Sequence, residues 1–209
     1  MRLSIFLDRT LVGNDVVDLE LTQALGKIED ERFIARVFSP EEQRVLAAAD
    51  EPDRWLWTLW AAKEASFKAA QKLNPDLVFS PRRFVVFPLT SASAEVRLDD
   101  RVIQVVWTWG PGWVHSLAVL GKGQAEFCVE QRPPEANESI AVRELGQRFM
   151  AERGWDRVEF RRAERTDRRA LWPQAFQGQA LVPADLSFSH DGRWVAFALG
   201  ETWQERDPV

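Results

Sequence analysis

The spacing of hydrophobic and polar residues along this chain changes from strand-like to helical and back. Residues 3–21 alternate between apolar and polar, with a Gly13-Asn14 break, which predicts one or two strands with a turn between them. Residues 30–49 have a helical pattern interrupted at Ser39-Pro40, where the serine suits an N-cap and the proline the first helical position. From residue 54 to 73 apolar side chains recur at three- and four-residue spacings, which predicts the most strongly patterned helix.

The pattern becomes that of β-strands from residue 79 to 121. Four apolar stretches occur there, and turn signals separate them at 99–100 (Asp-Asp) and at 110–112 (Gly-Pro-Gly). This part of the chain therefore predicts a run of antiparallel strands.

The C-terminal part repeats the change from helix to strand. The polar, proline-containing stretch 131–138 is the best candidate for a linker, and a helix is predicted after it from 139 to 153, ended by Gly154. Strands are then predicted at 157–164 and at 185–199.

The two parts of the chain resemble each other at a fixed offset of 81 residues, which aligns Phe79 with Phe160 and Trp113 with Trp194. Both parts contain a helix, a turn and strands that end in a Trp-Val strand. We therefore predict an α+β protein with two pseudo-repeated halves, each with helices packed on a small antiparallel sheet.

Composition excludes several classes of protein. The formal net charge of −5 argues against a nucleic-acid-binding protein that works by bulk electrostatics. No run of eighteen apolar residues could span a membrane, and the apolar N-terminal stretch, which Asp8 interrupts, is too short for a signal peptide. One cysteine and two histidines argue against a disulfide framework and a multi-histidine metal site. We therefore expect a cytoplasmic enzyme or binding protein that binds neither nucleic acid nor a membrane.

Three segments carry candidate chemistry. Asp15 and Asp18 fall in an apolar, β-branched stretch, where a buried carboxylate needs a cation or an arginine as partner; alternatively, both are solvated turn residues. Glu64 and Lys68 are four apart on one helical face, an arrangement also common on helix surfaces, but the small residues around them indicate close approach of another element. His190 follows an apolar strand and is either a phosphate ligand or a turn histidine bonded to its neighbours.

Together these segments resemble the 4′-phosphopantetheinyl transferase superfamily, whose members carry a G-x-D motif, a W-x-x-K-E-A-x-x-K helix and a Ser-His turn. The corresponding stretches are GNDVVDL at 13–19, WAAKEASFK at 60–68 and SFSHDGRW at 187–194, with FSPEEQ at 38–43 before the helix. The helix motif is the most specific of them. The resemblance implies the α+β fold of that family and transfer of the 4′-phosphopantetheine arm of coenzyme A to a serine of an apo carrier protein (acyl or peptidyl carrier), releasing adenosine 3′,5′-bisphosphate.

The resemblance also implies roles for individual residues near the helix. Asp15 and Glu64 correspond to the family's metal carboxylates, whose hard oxygen atoms suit Mg²⁺. Glu64 has a possible second role as the general base. Lys68 corresponds to the lysine that contacts the phosphates, and Lys63 is a weaker phosphate candidate.

The Ser-His turn corresponds to part of the coenzyme A site in the family. His190 matches the histidine that contacts the 3′-phosphate, with Ser189 beside it and Arg193 as possible support. The arginines between 161 and 169 could add phosphate contacts, although solvated charges are the simpler interpretation of most of them.

The chain departs from the family pattern in three ways. Val17 stands where the larger, surfactin-synthetase type has a second carboxylate, which leaves open whether Asp18 or a water completes the metal shell. Residues 169–173 replace the Gly-Lys-Pro motif of that type, which puts the coenzyme A contacts there in doubt. The Ser-His turn comes after the helix motif, whereas in the surfactin type it comes before it. In the small holo-acyl-carrier-protein synthase type the turn also comes last, but only some fifty residues after the helix motif, and here His190 is 126 residues after Glu64.

The position of the turn leads to a prediction about domains. We expect a first half at 1–122 with the metal and catalytic motifs, a linker at 123–138, and a smaller half at 139–209 with the coenzyme A-binding turn. The active site would lie between the halves of a pseudo-dimeric monomer, and a trimer of single domains is the alternative. A catalytically silent relative that binds coenzyme A or a carrier protein is the alternative function.

Overall fold

The computed structural model describes residues 10–21, 24–164 and 170–201. Within these residues the α-helices are α1 (Glu31–Val37), α2 (Pro40–Ala47), α3 (Pro52–Gln71) and α4 (Glu138–Ala151). The strands are β1 (Leu11–Asp18), β2 (Phe84–Pro88), β3 (Ser93–Leu98), β4 (Arg101–Gly110), β5 (Trp113–Leu120), β6 (Ala125–Gln131), β7 (Val158–Glu164), β8 (Ala170–Gln177), β9 (Ala180–Leu181), β10 (Ala184–Asp191) and β11 (Trp194–Glu201). The predicted strand residues 3–9 and the arginines at 165, 168 and 169 lie outside the described residues.

The short helices before α3 begin as the sequence predicts. Ser39 caps α2, with its hydroxyl accepting from the Glu42 amide while the Glu42 carboxylate accepts from the Ser39 amide, and Pro40 occupies the first helical position. This reciprocal capping box satisfies amide donors that a helix start otherwise leaves without partners.

The first half is a five-stranded antiparallel sheet in the order β1-β5-β4-β3-β2, with α3 packed on one face. The helix buries Leu56, Leu59 and a row of alanines against Phe84 and Val96 of the sheet. Burial of this apolar face is the main force that holds the helix on the sheet, since apolar area removed from water contributes about 25 cal/mol per Å².

The Gly13-Asn14 pair lies inside β1, and the prediction of a turn there is wrong. A side chain at Gly13 would place its Cβ 1.9 Å from the backbone oxygen of Ala65 in α3. The glycine is therefore required by the close approach of helix and strand, which a local turn signal cannot distinguish from a bend.

The second half contains a three-stranded sheet in the order β10-β11-β6, with α4 packed against it, and a further small sheet of β7, β8 and β9. Strand β6 falls in the stretch predicted as a linker, and it pairs with β11 from Gly200 to Trp194. The sequence pattern missed this strand because its register depends on a partner about seventy residues later in the chain.

The two halves share one strand arrangement. The order β1-β5-β4 in the first sheet corresponds to β6-β11-β10 in the second, and in each of these sets of three the middle strand begins Trp-Val. The rings of Trp113 and Trp194, the first residues of these strands, lie 5.8 Å apart. The α+β class with two pseudo-repeated halves is confirmed. None of the helices in the described ranges is long and apolar enough to cross a membrane.

Candidate active site

The two halves meet where β1 runs alongside β10. Side chains rather than backbone groups join these strands, since every second amide of β1 donates to a side chain of β10 exactly 173 residues later. The pairs are Val12 with Asp185 (2.7 Å), Asn14 with Ser187 (3.0 Å), Val16 with Ser189 (3.1 Å) and Asp18 with Asp191 (2.8 Å). The constant separation makes the strands parallel, and the contacts satisfy the amides of what is otherwise an edge strand. We call this junction the seam.

Two lysines hold the seam together: Lys68 in α3 and Lys72, which caps its C-terminal end. The ammonium of Lys68 donates to Asn14 O at 2.9 Å and to Asp15 Oδ1 at 2.8 Å. That of Lys72 donates to Val12 O and to Asp185 Oδ2, at 2.6 and 2.5 Å. Because Lys72 comes four residues after Lys68, both side chains extend from the helix face that covers the seam.

Carboxylates collect at one end of this face. Asp15, Glu64 and Asp191 line a cavity of about 290 Å³ together with His190 and Trp60. Glu64 forms no hydrogen bond or ion pair with another described residue. Burial and then the charge of Asp15 raise the pKa of Glu64 to about 7, against the opposing charge of Lys68. A carboxyl group with this pKa exchanges protons readily near neutral pH.

Cationic groups collect at the other end of the same helix face. A second cavity, of about 270 Å³, is lined by the apolar rings of Phe160, Trp172 and Phe188 and by five cationic side chains. The cationic residues are Lys68, Lys72, Arg143, Arg161 and Arg162. Lys68 contacts Asp15 and also lines this cavity, so the acidic and basic ends are neighbours. A ligand with phosphates and a flat apolar ring suits such a lining.

Ser189 and His190, which the sequence placed in a turn, belong to β10, and the turn itself is Gly192-Arg193. We keep the name Ser-His turn for residues 189–193, which lie at the acidic end of the seam. The hydroxyl of Ser189 donates to Asp15 Oδ1 at 2.9 Å and is buried. The His190 side chain is partly exposed, lines the acidic cavity and places its Nδ1 3.0 Å from Glu138 Oε2. The structure therefore brings Asp15, Glu64, Lys68, Ser189 and His190 into one region, although more than one hundred residues separate the turn from the helix.

The structure places Lys63 elsewhere. Its side chain is fully buried and its ammonium contacts Glu42, Pro81 O at 3.1 Å and Phe84 O at 2.6 Å. These three acceptors use the three N–H groups of the ammonium. The prediction that Lys63 contacts a phosphate is therefore wrong, because successive helical residues differ by about 100° in direction and Lys63 faces the core while Glu64 faces the cavity.

Arg193 and Asp18 bind each other. The guanidinium donates to both oxygens of the buried Asp18 carboxylate, at 2.9 and 2.8 Å, and also contacts Glu20 Oε2 at 2.8 Å. Burial acts to raise the pKa of Asp18, but the hydrogen bonds from Arg193 outweigh it and hold that pKa below its ordinary value. Since both oxygens are engaged, Asp18 does not complete a metal shell in this arrangement.

Two carboxylates of the acidic cavity fit a magnesium ion that is shared with substrate phosphates. Mg²⁺ keeps several waters and is usually bound through one or two carboxylates together with substrate phosphates. Asp15 and Glu64 supply two hard oxygen donors on one cavity, and Glu64 lacks a bonded partner among the described residues, so the residues fit that mode. They do not fit an all-protein site, since no group of three His, Cys, Asp or Glu side chains within the described ranges is arranged to hold a metal.

Sequence reasoning missed three residues at this junction. Asp191 lines the acidic cavity, and burial, with added repulsion from Asp15, Asp18 and Glu138, raises its pKa. Lys72 lies one turn after Lys68, and that four-residue spacing was the signal that could have identified it. The partner of His190, Glu138, had no local signal because it starts a helix about fifty residues earlier.

A buried histidine marks the other side of the junction. His115 of β5 is fully buried, stacks on Phe127 at 4.3 Å and places its Nε2 3.3 Å from the Asn14 amide nitrogen. Burial, with a smaller effect of the Lys68 charge, lowers the pKa of His115 to about 3. The ring is therefore neutral at physiological pH.

Comparison with known proteins identifies the family. The family model of the 4′-phosphopantetheinyl transferase superfamily matches residues 11–118, about half of the chain. Among solved structures, holo-[acyl-carrier-protein] synthase of Thermotoga maritima is 18% identical with a TM-score of 0.42, covering 82% of this chain and 84% of that one. The synthase of Neisseria meningitidis is 19% identical with a TM-score of 0.42, covering 54% of this chain and 98% of that one. None of the curated proteins compared matches the chain. On the family match, which contains Asp15, Glu64 and Lys68, the chain belongs to the 4′-phosphopantetheinyl transferase superfamily.

Proposed function

We propose that this protein transfers the 4′-phosphopantetheine arm of coenzyme A to a serine hydroxyl of an apo acyl or peptidyl carrier protein and releases adenosine 3′,5′-bisphosphate. The observation that carries the proposal is the pair of adjoining cavities along α3, one with the carboxylates of Asp15 and Glu64 and one with a cationic lining. A diphosphate that is broken by a hydroxyl needs both a proton acceptor and positive charge at the leaving group.

The chemistry assigns a task to each end. The serine oxygen of the carrier forms a bond to the phosphorus that bears the pantetheine arm, and the bond from that phosphorus to the bridging oxygen breaks. Glu64 accepts the serine proton, and burial together with the charge of Asp15, which raise its pKa, favour that transfer. The bridging oxygen leaves with the electron pair as part of adenosine 3′,5′-bisphosphate, and Lys68 balances its charge.

Asp15 and Glu64 would hold Mg²⁺ as part of this site. When bound, the ion supplies positive charge that offsets the charge of the diphosphate. Lys68 and Ser189 both bind the same oxygen of Asp15, so they fix the direction of that carboxylate toward the cavity. Hydrogen bonds that orient a metal-binding carboxylate in this way prepare it to bind the ion.

The remaining predicted residues are proposed as contacts to coenzyme A. His190 would bind the 3′-phosphate, with Glu138 orienting its ring through the 3.0 Å contact at Nδ1. Ser189 stands beside it and acts through Asp15. Arg161 and Arg162 of the basic cavity would meet the other phosphates.

We also infer that one chain supplies the complete site, because the seam joins the metal motif of the first half to the turn of the second. The expected solution mass is therefore that of a single chain. A mass near three chains at micromolar concentration would instead support a trimer.

The function is tested by incubating the protein with coenzyme A, Mg²⁺ and a panel of apo carrier proteins from fatty-acid, polyketide and peptide synthesis. Transfer is expected to increase the mass of at least one carrier by one phosphopantetheine arm. The absence of a mass increase across the panel, with coenzyme A still bound by the protein, would identify a catalytically silent relative and refute the proposal.

The residue assignments are tested with Glu64→Gln and Asp15→Ala, which are each expected to abolish transfer while the far-ultraviolet circular dichroism remains that of the native protein. Glu144→Gln is the matched control, since Glu144 is an exposed helical glutamate of α4 and is expected to leave transfer unchanged. Normal activity of either site variant would show that the metal and base assignments are wrong.

A further inference from the structure

The end of the seam is closed by a dense set of contacts around Asp18. Its side chain is completely buried, and its carboxylate accepts three N–H groups of Arg193: the backbone amide at 3.0 Å, Nε at 2.9 Å and Nη2 at 2.8 Å. A carboxylate bound by both arms of a guanidinium is a directional contact, because the two parallel hydrogen bonds define the plane as well as the distance. We call this pair the clasp.

A second contact runs in the opposite direction. The backbone amide of Asp18 donates to Asp191 Oδ2 at 2.8 Å, so each half supplies a carboxylate to the other at this end of the seam. Gly192, between Asp191 and Arg193, has a positive φ of 52°, and a Cβ there would lie 2.6 Å from Asp18 Oδ2. The turn therefore packs so closely on Asp18 that only glycine is accommodated.

The clasp joins residues from both halves. Asp18 ends β1, three residues after Asp15, whereas Arg193 lies in the turn that follows His190 and Asp191. The turn is held from its own half by Arg132, whose Nε donates to Gly192 O at 2.8 Å. The two attachments together hold the turn beside the carboxylate cavity.

We propose that Asp18 and Arg193 are positioning residues that set the distance between the Ser-His turn and the carboxylates of the site. This inference rests on the proposed function, and it reassigns Arg193, which the sequence placed among the coenzyme A contacts. All three guanidinium nitrogens of Arg193 already contact carboxylates, two on Asp18 and one on Glu20. Arg193 thus acts on the substrate through the turn rather than by touching it.

Displacement of the turn has a specific consequence for the substrate. His190 is proposed to bind the 3′-phosphate, so a displaced turn weakens the use of coenzyme A more than that of 3′-dephospho-coenzyme A, which lacks that group. A shift of about 1 Å in a positioned group can reduce a rate about a hundredfold. We expect the preference for coenzyme A over its dephospho form, measured as the ratio of kcat/KM values, to fall about tenfold or more in Asp18→Asn.

The experiment compares Asp18→Asn and Arg193→Lys with Asp99→Asn, a matched control that weakens the exposed Arg83–Asp99 pair far from the seam. Both coenzyme A forms are assayed with one carrier protein, and hydrogen exchange of residues 189–195 is followed by mass spectrometry. We expect amide hydrogen exchange of residues 189–195 to be at least about tenfold faster in Asp18→Asn than in the wild type, and unchanged in Asp99→Asn. Arg193→Lys retains the positive charge but loses the planar guanidinium that binds both oxygens of Asp18. We therefore expect an intermediate loss of the preference for coenzyme A over its dephospho form.

The outcomes separate the possible roles. Equal loss of activity toward both coenzyme A forms would make the clasp a stability element only and would overturn the proposal. Preference lost in Arg193→Lys but kept in Asp18→Asn would make Arg193 a direct phosphate ligand, which also overturns it. If Asp18→Asn does not fold, Arg193→Lys decides alone, and a normal preference refutes positioning. If the wild-type protein transfers nothing, the proposed function fails, and unchanged exchange in Asp18→Asn would still refute the clasp by itself.

Discussion

Replacement of Lys63 by methionine tests whether this lysine of the helix motif is structural. Lys63 and Glu42 both have fully buried side chains, and the ammonium lies 2.7 Å from the carboxylate. Burial lowers the pKa of Lys63, and the charge of Glu42 opposes that effect. Glu42 also accepts the backbone amides of Ser39 and Val86, each at 2.7 Å. This pair therefore joins α2, α3 and the edge of the first sheet.

The size of the effect follows from what remains after the substitution. In Lys63→Met the Glu42 carboxylate stays buried without its cation, and breaking a buried pair from one side typically costs about 3–5 kcal/mol. For a chain of this size that corresponds to a decrease in melting temperature of roughly 6–20 °C. The double variant Lys63→Met/Glu42→Gln removes both charges and is expected to regain at least about 1 kcal/mol.

The assay is urea unfolding of both variants together with Lys27→Met, which breaks a partly exposed pair with Asp30 and is expected to cost less than about 1 kcal/mol. Transfer activity per folded molecule should equal that of the wild type in Lys63→Met at a temperature where it is folded. A variant with wild-type stability but impaired coenzyme A binding would refute the reasoning and restore Lys63 as a phosphate ligand.

Three further predictions concern the junction of the halves. His115→Gln removes a group that is buried neutral, with a folded pKa of about 3. The unfolded chain binds a proton at this histidine with a pKa near 6.5, whereas the folded one stays neutral. The wild type should therefore lose about 2.3 kcal/mol of stability between pH 6.5 and 4.5 relative to this variant, measured by urea unfolding at each pH; parallel pH profiles would contradict this. Gly13→Ala forces a Cβ to within 1.9 Å of the backbone of α3 and should destabilise the fold by about 3 kcal/mol in the same assay, whereas a loss below about 1 kcal/mol would show that helix and strand can separate. Ser189→Ala and Ser187→Ala each remove a hydrogen-bond acceptor for one backbone amide of β1, so each should reduce stability by about 1–2 kcal/mol. Of these two serines only Ser189 donates to Asp15, so only Ser189→Ala should slow transfer, by about tenfold. Equal transfer rates of the two variants would refute that role.

Local signals predicted most of the helices and strands correctly. The cap at Ser39, the proline after it and the apolar spacing of α3 act within a few residues of one another, so the sequence displays them directly. The strand β6 and the continuous course of β1 through Gly13 were missed. In both cases a distant element, β11 or α3, decides the conformation against the local signal.

The residues of the candidate site likewise include some that local signals predicted and others whose partners only the fold shows. Glu64 and Lys68 were placed on one face because helical geometry alone relates residues four apart. Lys63 was misassigned because resemblance to a motif does not state which of two adjacent helical residues faces the core. The partnership of Asp18 with Arg193 joins residues 175 apart, and no pattern within either segment indicates it.

By itself, then, the sequence determined the family, the two-half α+β plan and a set of candidate residues for the chemistry, since these depend on motifs and periodicities that a short stretch contains. Only the tertiary structure decided which charges face the cavities and which hold the halves together. The physical reason is that a buried charge is stable only beside its partner, and the partner of each charge at the seam comes from the other half or from a helix packed across it.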